Sequence, residues 1–383
     1  MTQVEFTTPL PVSAADAFAW HARPGALRRL LPPWQDVRVL SEQPAPGAVS
    51  IVEDGGQVEL SLAMGPVRRR WVARHQDCRP GESFKDVMEH GPLTRWAHHH
   101  AFTATADGCV LSDRVDYELG FPAALVAGGV QRDLQRLFAF RHARTRADLE
   151  RHAAYPTMPL TIAITGAGGL VGSALVPFLT TGGHRVRTIG RGAADIRWDP
   201  ARGILDAQAL EGVDAVIHLA GENVAQRWSP AAKAGIRDSR VQSTTLIARF
   251  IAVLRKPPRV LVMASGVGAY GTHADDAKRS EDAAYGSDFL AGVCRDWETS
   301  ADPACLAGIR VVQVRIGMVV SAAGGALAKM LPAFRISLGG PIGSGNQWQS
   351  WIHRDDLIDV LHRAVMDDRL SGAVNAVAPQ TLR

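Results

Sequence analysis

Three glycines spaced three residues apart form the clearest candidate binding element of the sequence. They are Gly166, Gly169 and Gly172; the apolar run Leu160–Thr165 precedes them and an apolar helical segment follows. In a strand–loop–helix unit, the first glycine permits a tight turn and the second lets the backbone approach a pyrophosphate. The third lets the helix pack on the strand, with its N-terminus facing the phosphates. A dinucleotide-binding loop is favoured in this context, with a structural turn as the alternative.

The residue after the second strand of such a unit selects between the two nicotinamide cofactors. An acidic residue there holds the ribose 2′-hydroxyl of NAD(H), whereas an arginine suits the 2′-phosphate of NADP(H). The segment VRTIGRG places Arg191 at this point, with no acidic residue apparent nearby. NADP(H) is therefore predicted in preference to NAD(H), with a solvated loop arginine as the alternative. The predicted cofactor contacts in these two segments are Gly166, Ala167, Gly169, Leu170, Val171, Gly172 and Arg191.

The glycine spacing and three later segments carry a family resemblance. The form G-x-x-G-x-x-G after Thr165 resembles the extended short-chain dehydrogenase/reductase superfamily, which includes NAD(P)-dependent epimerases and dehydratases. DAVIHLAGEN (Asp214–Asn223), VLVMASGVGAYG (Val260–Gly271) and SWIHRDDL (Ser350–Leu357) resemble later parts of that fold, in a branch of uncharacterised epimerase-family proteins. The resemblance implies a Rossmann fold. It also places further residues beside the cofactor, namely Leu219, Ala220, Gly221 and Ser265.

The usual catalytic pair of that superfamily is missing. In its members a tyrosine acts as acid and base on the substrate, and a lysine four residues later lowers the tyrosine pKa. None of the four tyrosines here is followed by lysine at that spacing. The helix expected to carry the pair, Asp288–Glu298, has Phe289 and Val293 instead and is predicted only to pack. A phenol with a pKa of about 10 and no neighbouring cation is a poor general base.

Ser265 and Tyr270 are the remaining catalytic candidates. Ser265 is expected at a strand end, where its hydroxyl would hydrogen-bond a substrate carbonyl, and Tyr270 follows in a loop. A structural or substrate-lining role is the alternative for Tyr270. Arg240 would bind an anionic group or pair with Asp238 or another nearby acid. Cys294 is interpreted as a buried thiol rather than a nucleophile.

The first 150 residues predict an antiparallel sheet closed by a long helix. Ser13 is a predicted helix N-cap. Alternating runs predict strands at Val4–Pro9, Ser50–Glu53, Gln57–Met64, Arg69–Gln76, Ser83–His90, Arg95–Phe102 and Cys109–Glu118. Apolar residues at helical spacing predict the closing helix, namely Val126, Val130, Leu134, Leu137 and Phe138.

This half resembles the START-like or polyketide-cyclase-like helix-grip superfamily, on the segments DRVDYELGFP and GPLTRWAHHHAF. The resemblance implies an apolar small-molecule ligand between sheet and helix. Within WAHHHAF, His98 and His100 share one strand face and His99 points the other way. Two ligands do not complete a zinc site, so no metal site is predicted.

A linker is predicted at residues 153–159, AAYPTMP, because it carries two prolines after the last helical turn. It separates an α+β helix-grip domain, residues 1–152, from an α/β Rossmann domain with a doubly wound parallel sheet, residues 160–383. Strands of this sheet are predicted at Leu160–Thr165, Arg185–Ile189, Ala215–Leu219, Arg259–Ser265, Arg310–Ile316 and Gly372–Val377. Members of the superfamily continue past the NAVAP segment, so a C-terminal truncation is expected.

Composition excludes several classes of function. The net charge of +4 and the single basic triplet Arg68–Arg70 do not make the basic stripe that nucleic-acid binding requires. Four scattered cysteines show no metal-ligand spacing and suit a reducing compartment. No signal peptide or membrane span is recognisable, so a cytoplasmic location is predicted.

Two functions remain open at this level. The first is an NADP(H)-binding, epimerase/dehydratase-like oxidoreductase with an unknown small-molecule substrate and atypical acid/base residues. The second is a non-enzymatic NADP(H)-dependent sensor or binding protein whose N-terminal domain holds a hydrophobic ligand. The glycine loop and Ser265 support the first, and the missing tyrosine–lysine pair supports the second.

Overall fold

The computed structural model of the protein describes residues 1–120, 127–272, 275–341 and 343–383. The chain divides into two compact units. The N-terminal unit comprises Met1–Thr157 with Pro177–Gly183, and the C-terminal unit comprises Met158–Val176 with His184–Arg383. Among the described helices, none is both long enough and apolar enough to cross a membrane.

The N-terminal unit is built on a seven-stranded antiparallel sheet with the order β1-β7-β6-β5-β4-β3-β2. Its strands are β1 (Thr2–Leu10), β2 (Val37–Gln43), β3 (Gln57–Met64), β4 (Val67–Arg79), β5 (Ser83–His90), β6 (Arg95–Thr105) and β7 (Gly108–Glu118). Its helices are α1 (Ala14–Ala22), α2 (Ala26–Leu30) and α3 (Ala127–Ala153). Phe138 of α3 is fully buried and packs with Val115 and Tyr117 of β7. The predicted sheet with a closing helix is confirmed.

Most local predictions for this unit hold, but one predicted strand is wrong, and strand β2 and helix α2 were not predicted. Ser13 caps α1, since its Oγ accepts a hydrogen bond from the Asp16 amide at 3.1 Å. The predicted strand Ser50–Glu53 is wrong, because the Glu53 carboxylate accepts the Ser50 amide at 2.7 Å and closes a turn. Strand β2 was not predicted; its polar sequence and its irregular pairing with β3 weaken the alternating pattern. Val126, predicted on the closing helix, lies outside the described residues.

The C-terminal unit contains an eight-stranded sheet with the order β11-β10-β9-β8-β12-β13-β14-β17. Its strands are β8 (Thr161–Thr165), β9 (Arg185–Gly190), β10 (Ile196–Asp199), β11 (Ile204–Leu205), β12 (Ala215–His218), β13 (Val260–Gly266), β14 (Arg310–Ile316) and β17 (Gly372–Ala376), while β15 (Met318–Val320) and β16 (Trp351–His353) pair separately. The helices are α4 (Gly172–Thr181), α5 (Pro230–Ala252), α6 (Phe289–Thr299), α7 (Asp302–Leu306), α8 (Gly325–Arg335) and α9 (Arg354–Met366). The part of α4 from Pro177 onward is grouped with the N-terminal unit. All six predicted strands are present, each within one residue at either end.

The topology of this sheet defines where a ligand would bind. Every neighbouring pair from β10 to β17 is parallel, and only the short β11 is antiparallel to β10. The chain leaves β8 toward β9 and β10 on one side and later returns to β12 on the other. Ligands of such sheets bind outside the carboxyl ends of the strands at this reversal point. The Rossmann fold class is confirmed.

Candidate functional site

The glycine loop sits at the reversal point between β8 and β12. Gly166 follows β8 directly and has a φ of +68°, a backbone conformation that favours glycine. A Cβ atom at Gly166 would lie 2.9 Å from the carbonyl carbon of Leu219 and 3.0 Å from the amide nitrogen of Ala220. The turn therefore needs glycine both for its conformation and for the close approach of the chain after β12.

The other loop glycines differ in how much space the surrounding protein leaves for a side chain. A Cβ atom at Gly172 would lie 2.2 Å from the Gly166 carbonyl oxygen, so α4 starts against the loop only with glycine there. A Cβ atom at Gly169 would meet only that same oxygen, at 3.2 Å, and one at Gly168 would meet nothing within 4 Å. Open space beside Gly168, next to the N-terminus of α4, fits a pyrophosphate held by backbone amides.

A hydrogen-bond chain fixes the segment after β12. The Thr165 hydroxyl oxygen accepts the amides of Leu219 at 3.0 Å and Ala220 at 3.1 Å. The same oxygen lies 2.7 Å from Nδ1 of His218, which is fully buried. Burial and the nearby charge of Arg240 lower the pKa of His218 to about 3, so the imidazole is neutral.

The tautomer of His218 follows from its partners. Ser243 Oγ donates to the backbone carbonyl of Arg240 at 3.1 Å, so it accepts from His218 Nε2 at 3.1 Å. His218 Nδ1 therefore accepts the Thr165 hydroxyl proton. These hydrogen bonds hold Leu219 and Ala220, two of the predicted cofactor contacts, beside the glycine loop.

The guanidinium of Arg240 binds backbone carbonyls, including one in the segment after β12, rather than facing an anion site. Its guanidinium donates to the carbonyls of Ile236 at 2.9 Å and Glu222 at 3.0 Å, and it lies 4.9 Å from the Trp297 ring centroid. Arg240 also approaches Gly221, where a Cβ atom would lie 3.3 Å from the guanidinium carbon. These contacts include neither a salt bridge with Asp238 nor a free anion-binding group. Of the other nearby acids that were predicted, Glu222 acts on Arg240 through its charge, against the effect of burial on the pKa.

Arg191 is exposed directly after β9, where the cofactor-selecting residue is expected. An acidic residue, Asp195, stands four positions further on, which the sequence analysis overlooked. Its carboxylate accepts the Thr188 amide at 2.7 Å and the Thr188 hydroxyl at 2.8 Å. These hydrogen bonds lower the pKa of Asp195 and attach the carboxylate to β9. Arg191 remains the candidate for the 2′-phosphate.

Ser265 takes part in a buried cluster at the carboxyl ends of β13 and β14. Its hydroxyl donates to Glu298 Oε1 at 2.6 Å. Arg315, directly opposite Ser265 in the strand register, binds both oxygens of Glu298, with Nε at 3.0 Å and Nη2 at 2.9 Å. We call Ser265, Glu298 and Arg315 with Tyr270 and Tyr285 the Glu298 cluster.

Two tyrosines complete the Glu298 cluster. The Tyr285 hydroxyl donates to Glu298 Oε2, and the Tyr270 hydroxyl donates to Asn375 Oδ1 at 2.6 Å while accepting from Arg315 Nη1 at 3.0 Å. Burial, together with the hydrogen bond to Glu298, raises the pKa of Tyr285 to about 12. Tyr285 is therefore protonated at neutral pH and is not placed to act as a base.

In the Glu298 cluster, hydrogen bonds between the members offset the effect of burial on the charged groups. Burial acts to raise the pKa of Glu298, but hydrogen bonds from Arg315, Ser265 and Tyr285 outweigh it and hold the pKa below its usual value. The hydrogen bond to Glu298 raises the pKa of Arg315, against the effect of burial. Because the Ser265 proton is donated to a carboxylate, Ser265 has only acceptor capacity left for a substrate.

Helix α6 does more than the packing predicted for it. Asp288 caps its N-terminus through the Ala291 amide at 2.9 Å, and Val293 and Cys294 are buried as expected. Its last turn, however, supplies Glu298, a partner for Ser265 that the sequence analysis missed. The signal was an acidic residue on the apolar side of the helix, beside Trp297. Burial and nearby Glu298 raise the pKa of the Cys294 thiol, which supports the interpretation as an unreactive thiol.

In the N-terminal unit, a cleft of about 650 Å³ lies beside β1 and α3. Its lining mixes apolar side chains such as Phe6 and Phe138 with polar ones such as Glu5, His142 and Arg146. His98 and His100 are buried on one face of β6 and His99 lies on the other, as the alternation predicts. Both buried histidines have a carboxylate neighbour that was not predicted from the sequence: Asp86 beside His98 and Asp113 beside His100.

The fold and the glycine loop define a Rossmann-type dinucleotide-binding protein with an antiparallel N-terminal domain. Residues 162–376 match the model of the NAD dependent epimerase/dehydratase family. Residues 10–140 match the model of polyketide cyclase / dehydrase and lipid transport proteins. The chain belongs to the NAD dependent epimerase/dehydratase family and carries an N-terminal domain of the polyketide cyclase type.

Similar proteins support this assignment. An epimerase family protein of Mycobacterium bovis is 43% identical over 223 residues, 57% of this chain and 73% of that protein. The structure of a nucleoside-diphosphate sugar epimerase from Corynebacterium glutamicum aligns with a TM-score of 0.83 at 34% identity, covering 99% of this chain and 79% of that one. The human epimerase family protein SDR39U1, solved with NADPH, aligns with a TM-score of 0.52 at 33% identity, covering 58% of this chain and 76% of that one.

Proposed function

We propose that the C-terminal unit binds NADP(H) at the carboxyl edge of its sheet and acts as an oxidoreductase of the epimerase/dehydratase type on a small molecule. The observation that carries the proposal is the glycine loop, which is crowded by protein at Gly166 and Gly172, has one close approach at Gly169, and is open at Gly168 beside the N-terminus of α4. The NADPH bound to the human relative gives independent support. The cofactor, when bound, would supply or accept hydride.

The residues present divide the binding task among them. The amides of the glycine loop and the N-terminus of α4 would hold the pyrophosphate, and Arg191 the 2′-phosphate. Leu219, Ala220 and Gly221 would border the cofactor on the opposite side of the reversal point. Ser265 would accept a hydrogen bond from a substrate hydroxyl, and Tyr270 would line the same edge.

A second candidate function rests on the Glu298 cluster. The Ser265 proton is already donated to Glu298, and α6 carries Phe289 and Val293 where superfamily enzymes have tyrosine and lysine. A protein of this kind would bind NADP(H) without turnover, as a sensor or ligand-dependent binding protein. An apolar ligand in the N-terminal unit belongs to this second proposal.

Cofactor binding is tested by titrating the full chain with NADPH and with NADH and following nicotinamide fluorescence. Tighter binding of NADPH, with the preference reduced at least about tenfold in Arg191→Ala, would support the assignment, since one charge-assisted contact contributes at least about 1.4 kcal/mol. Arg249→Ala is the matched control. Arg249 is an exposed arginine near the C-terminal end of α5, at the opposite edge of the sheet. Equal affinity for both cofactors in the wild type would contradict the role of Arg191.

Turnover separates the two candidate functions. The protein is incubated with NADPH and a panel of aldehydes, ketones and nucleotide sugars, and oxidation is followed at the nicotinamide absorbance band. Measurable turnover that a Ser265→Ala variant loses would support the oxidoreductase. Tight NADPH binding without turnover on any member would favour the binding protein.

A further inference from the structure

Five ionisable side chains of the N-terminal unit form a buried cluster on one face of its sheet. Asp86 lies on β5, His98 and His100 on β6, Asp113 on β7, and His142 on α3. We call these five side chains the histidine–aspartate cluster. Asp86 is directly opposite His98 in the strand register, and Asp113 is directly opposite His100. Residues paired in this way project to the same face, so four of the five side chains must meet.

The two histidines of β6 stand between the two carboxylates. Their ring centroids are 3.9 Å apart. Asp113 Oδ1 lies 3.3 Å from His98 Nε2 and 2.7 Å from His100 Nδ1. Asp86 Oδ2 lies on the other side, 3.1 Å from His98 Nδ1 and 3.7 Å from His100 Nε2. Each imidazole therefore presents one nitrogen to each carboxylate.

Three of these facing atoms are buried and, although they approach one another as ion pairs, meet the geometry of a hydrogen bond with no group in the described part of the chain. They are His98 Nε2, His100 Nδ1 and Asp113 Oδ1. The residues that carry them are only 2%, 7% and 3% exposed, respectively, so solvent does not satisfy them. Buried polar atoms are normally paired, and an exception calls for an explanation such as an ion. A cation bound by all three atoms would satisfy them together.

We propose that His98, His100 and Asp113 bind one divalent first-row transition metal ion. Two imidazoles and a carboxylate are the donor set that zinc and iron(II) take in proteins. Metal–ligand bonds of about 2.0–2.2 Å at tetrahedral angles place ligand atoms about 3.3 Å apart. The separation of Asp113 Oδ1 from His98 Nε2, 3.3 Å, matches this value. Its separation from His100 Nδ1, 2.7 Å, is shorter, so the two atoms would have to move apart when the ion binds. Three protein ligands leave a coordination position for water or a small molecule.

The remaining members of the cluster would orient the ligands. Asp86 receives the Nδ1 side of His98 and so leaves Nε2 facing the metal position, a carboxylate–histidine arrangement common around metals. His142 Nε2 lies 2.9 Å from the second oxygen of Asp113 and would hold that carboxylate. Asp86, His98 and His100 also offer ligand atoms within 4.8 Å of one another, so Asp86 is the competing carboxylate. His142 lines the cleft beside α3, which gives an ion a route toward Asp113.

The first measurement uses the full chain, purified without a histidine tag and stripped of metal by dialysis against a chelator. Cobalt(II) is titrated in and the visible d–d absorption is recorded, and zinc(II) is then added in competition. The proposal predicts bands that saturate at one cobalt per chain and disappear as zinc displaces it. Absence of saturable absorption, together with zinc-independent thermal melting, would overturn the proposal.

Variants then assign the ligands. His100→Gln and Asp113→Asn are expected to weaken cobalt binding by more than about 100-fold, because each removes a ligand. Asp86→Asn is expected to weaken it by about 10- to 100-fold, as loss of an orienting partner does. His99→Ala is the matched control, since His99 lies on the same strand and the opposite face. A loss in His99→Ala equal to that in His100→Gln would overturn the proposal by showing surface binding.

A stability readout keeps the test decisive if one variant folds poorly. Zinc is expected to raise the melting temperature of the wild type in a concentration-dependent way, because a ligand that binds the folded state stabilises it. The rise should be absent in Asp113→Asn and present in His99→Ala. A larger loss of the rise in Asp86→Asn than in Asp113→Asn would overturn the assignment of Asp113 as the ligand.

Discussion

Two regions at the carboxyl edge of the C-terminal sheet differ in what occupies them. The loop from Gly166 to Gly172 consists mainly of backbone groups, and open space remains beside Gly168. The Glu298 cluster is made of side chains that bind one another, with Arg315 on both oxygens of Glu298. The first region offers amides to a ligand, whereas the second has used most of its polar groups internally.

This difference indicates how a candidate ligand site and a buried side-chain network can share one sheet edge. A ligand site keeps polar groups for the ligand, while a buried structural network must satisfy every charge within itself. The glycine loop, the candidate cofactor site, fits the first description. The Glu298 cluster fits the second.

The largest effect is expected when Glu298 is replaced by glutamine. Glu298→Gln leaves the guanidinium of Arg315 buried without a counter-charge, which costs about 3–5 kcal/mol of unfolding free energy. Chemical denaturation measures the change. Asp296→Asn is the control on the same helix; its partner Arg237 is half-exposed, so the expected cost is at most about 1 kcal/mol. Equal costs for the two variants would show that the Glu298 cluster does not hold the strand ends.

The glycine loop should respond according to the space around each glycine. Gly172→Ala places a Cβ atom 2.2 Å from the Gly166 carbonyl oxygen, and the forced shift is expected to cost about 1–3 kcal/mol. Gly168→Ala meets nothing within 4 Å and should change stability by less than about 0.5 kcal/mol. Thermal and chemical denaturation compare the two. Identical stabilities would contradict the close approach described at Gly172.

The glycine loop could be predicted from the sequence, whereas the Glu298 cluster could not. The glycine loop lies in one continuous segment, so spacing, strand and helix were all visible in order. Glu298 lies 33 residues from Ser265 and 17 from Arg315. The register of β13 with β14 pairs Ser265 with Arg315, and the last turn of α6 adds Glu298. The histidine–aspartate cluster could not be predicted for the same reason, because its two carboxylates come from β5 and β7, the strands on either side of β6.

Short and irregular elements were also hard to predict. Strands β10, β11, β15 and β16 have four residues or fewer, too few for an alternating pattern to stand out. The longer β3, β5 and β14 were predicted with the bounds they have in the structure. Buried parallel strands are continuous apolar runs, which is why β8, β12 and β13 were visible in the sequence.

The buried imidazole of His218 predicts a specific pH dependence of the unfolding free energy. His218 in the folded protein has a pKa of about 3, below the usual value of 6.5, so the unfolded state binds the extra proton between these values. The unfolding free energy should therefore fall as pH decreases from 6.5 toward 3, by up to about 1.4 kcal/mol per pH unit from this group. His218→Gln should remove this part of the slope.

The control for His218 is an exposed histidine. His90→Gln, at the exposed end of β5, should leave the pH dependence of the wild type unchanged. Denaturation curves at several pH values between 5 and 7.5 give the slopes for the three proteins. A slope in His218→Gln equal to that of the wild type would refute the buried neutral imidazole.

The smallest effect concerns the rim of the Glu298 cluster. Tyr285→Phe removes one hydrogen bond to Glu298, whose other partners Ser265 and Arg315 remain. The expected loss of unfolding free energy is about 1 kcal/mol, that of an ordinary hydrogen bond. A loss near that of Glu298→Gln would mean that Tyr285, rather than Arg315, is the partner on which the carboxylate depends.

The most direct test of the comparison is an NADPH titration of the wild type and of Gly169→Val, followed by nicotinamide fluorescence, with melting temperatures recorded in parallel. Saturable binding of one NADPH per chain is expected for the wild type. Gly169→Val is expected to bind at least about tenfold more weakly, because the added side chain keeps the backbone from approaching the phosphates. No saturable binding by the folded wild type, or unchanged affinity in the folded variant, would contradict the glycine loop as the cofactor site.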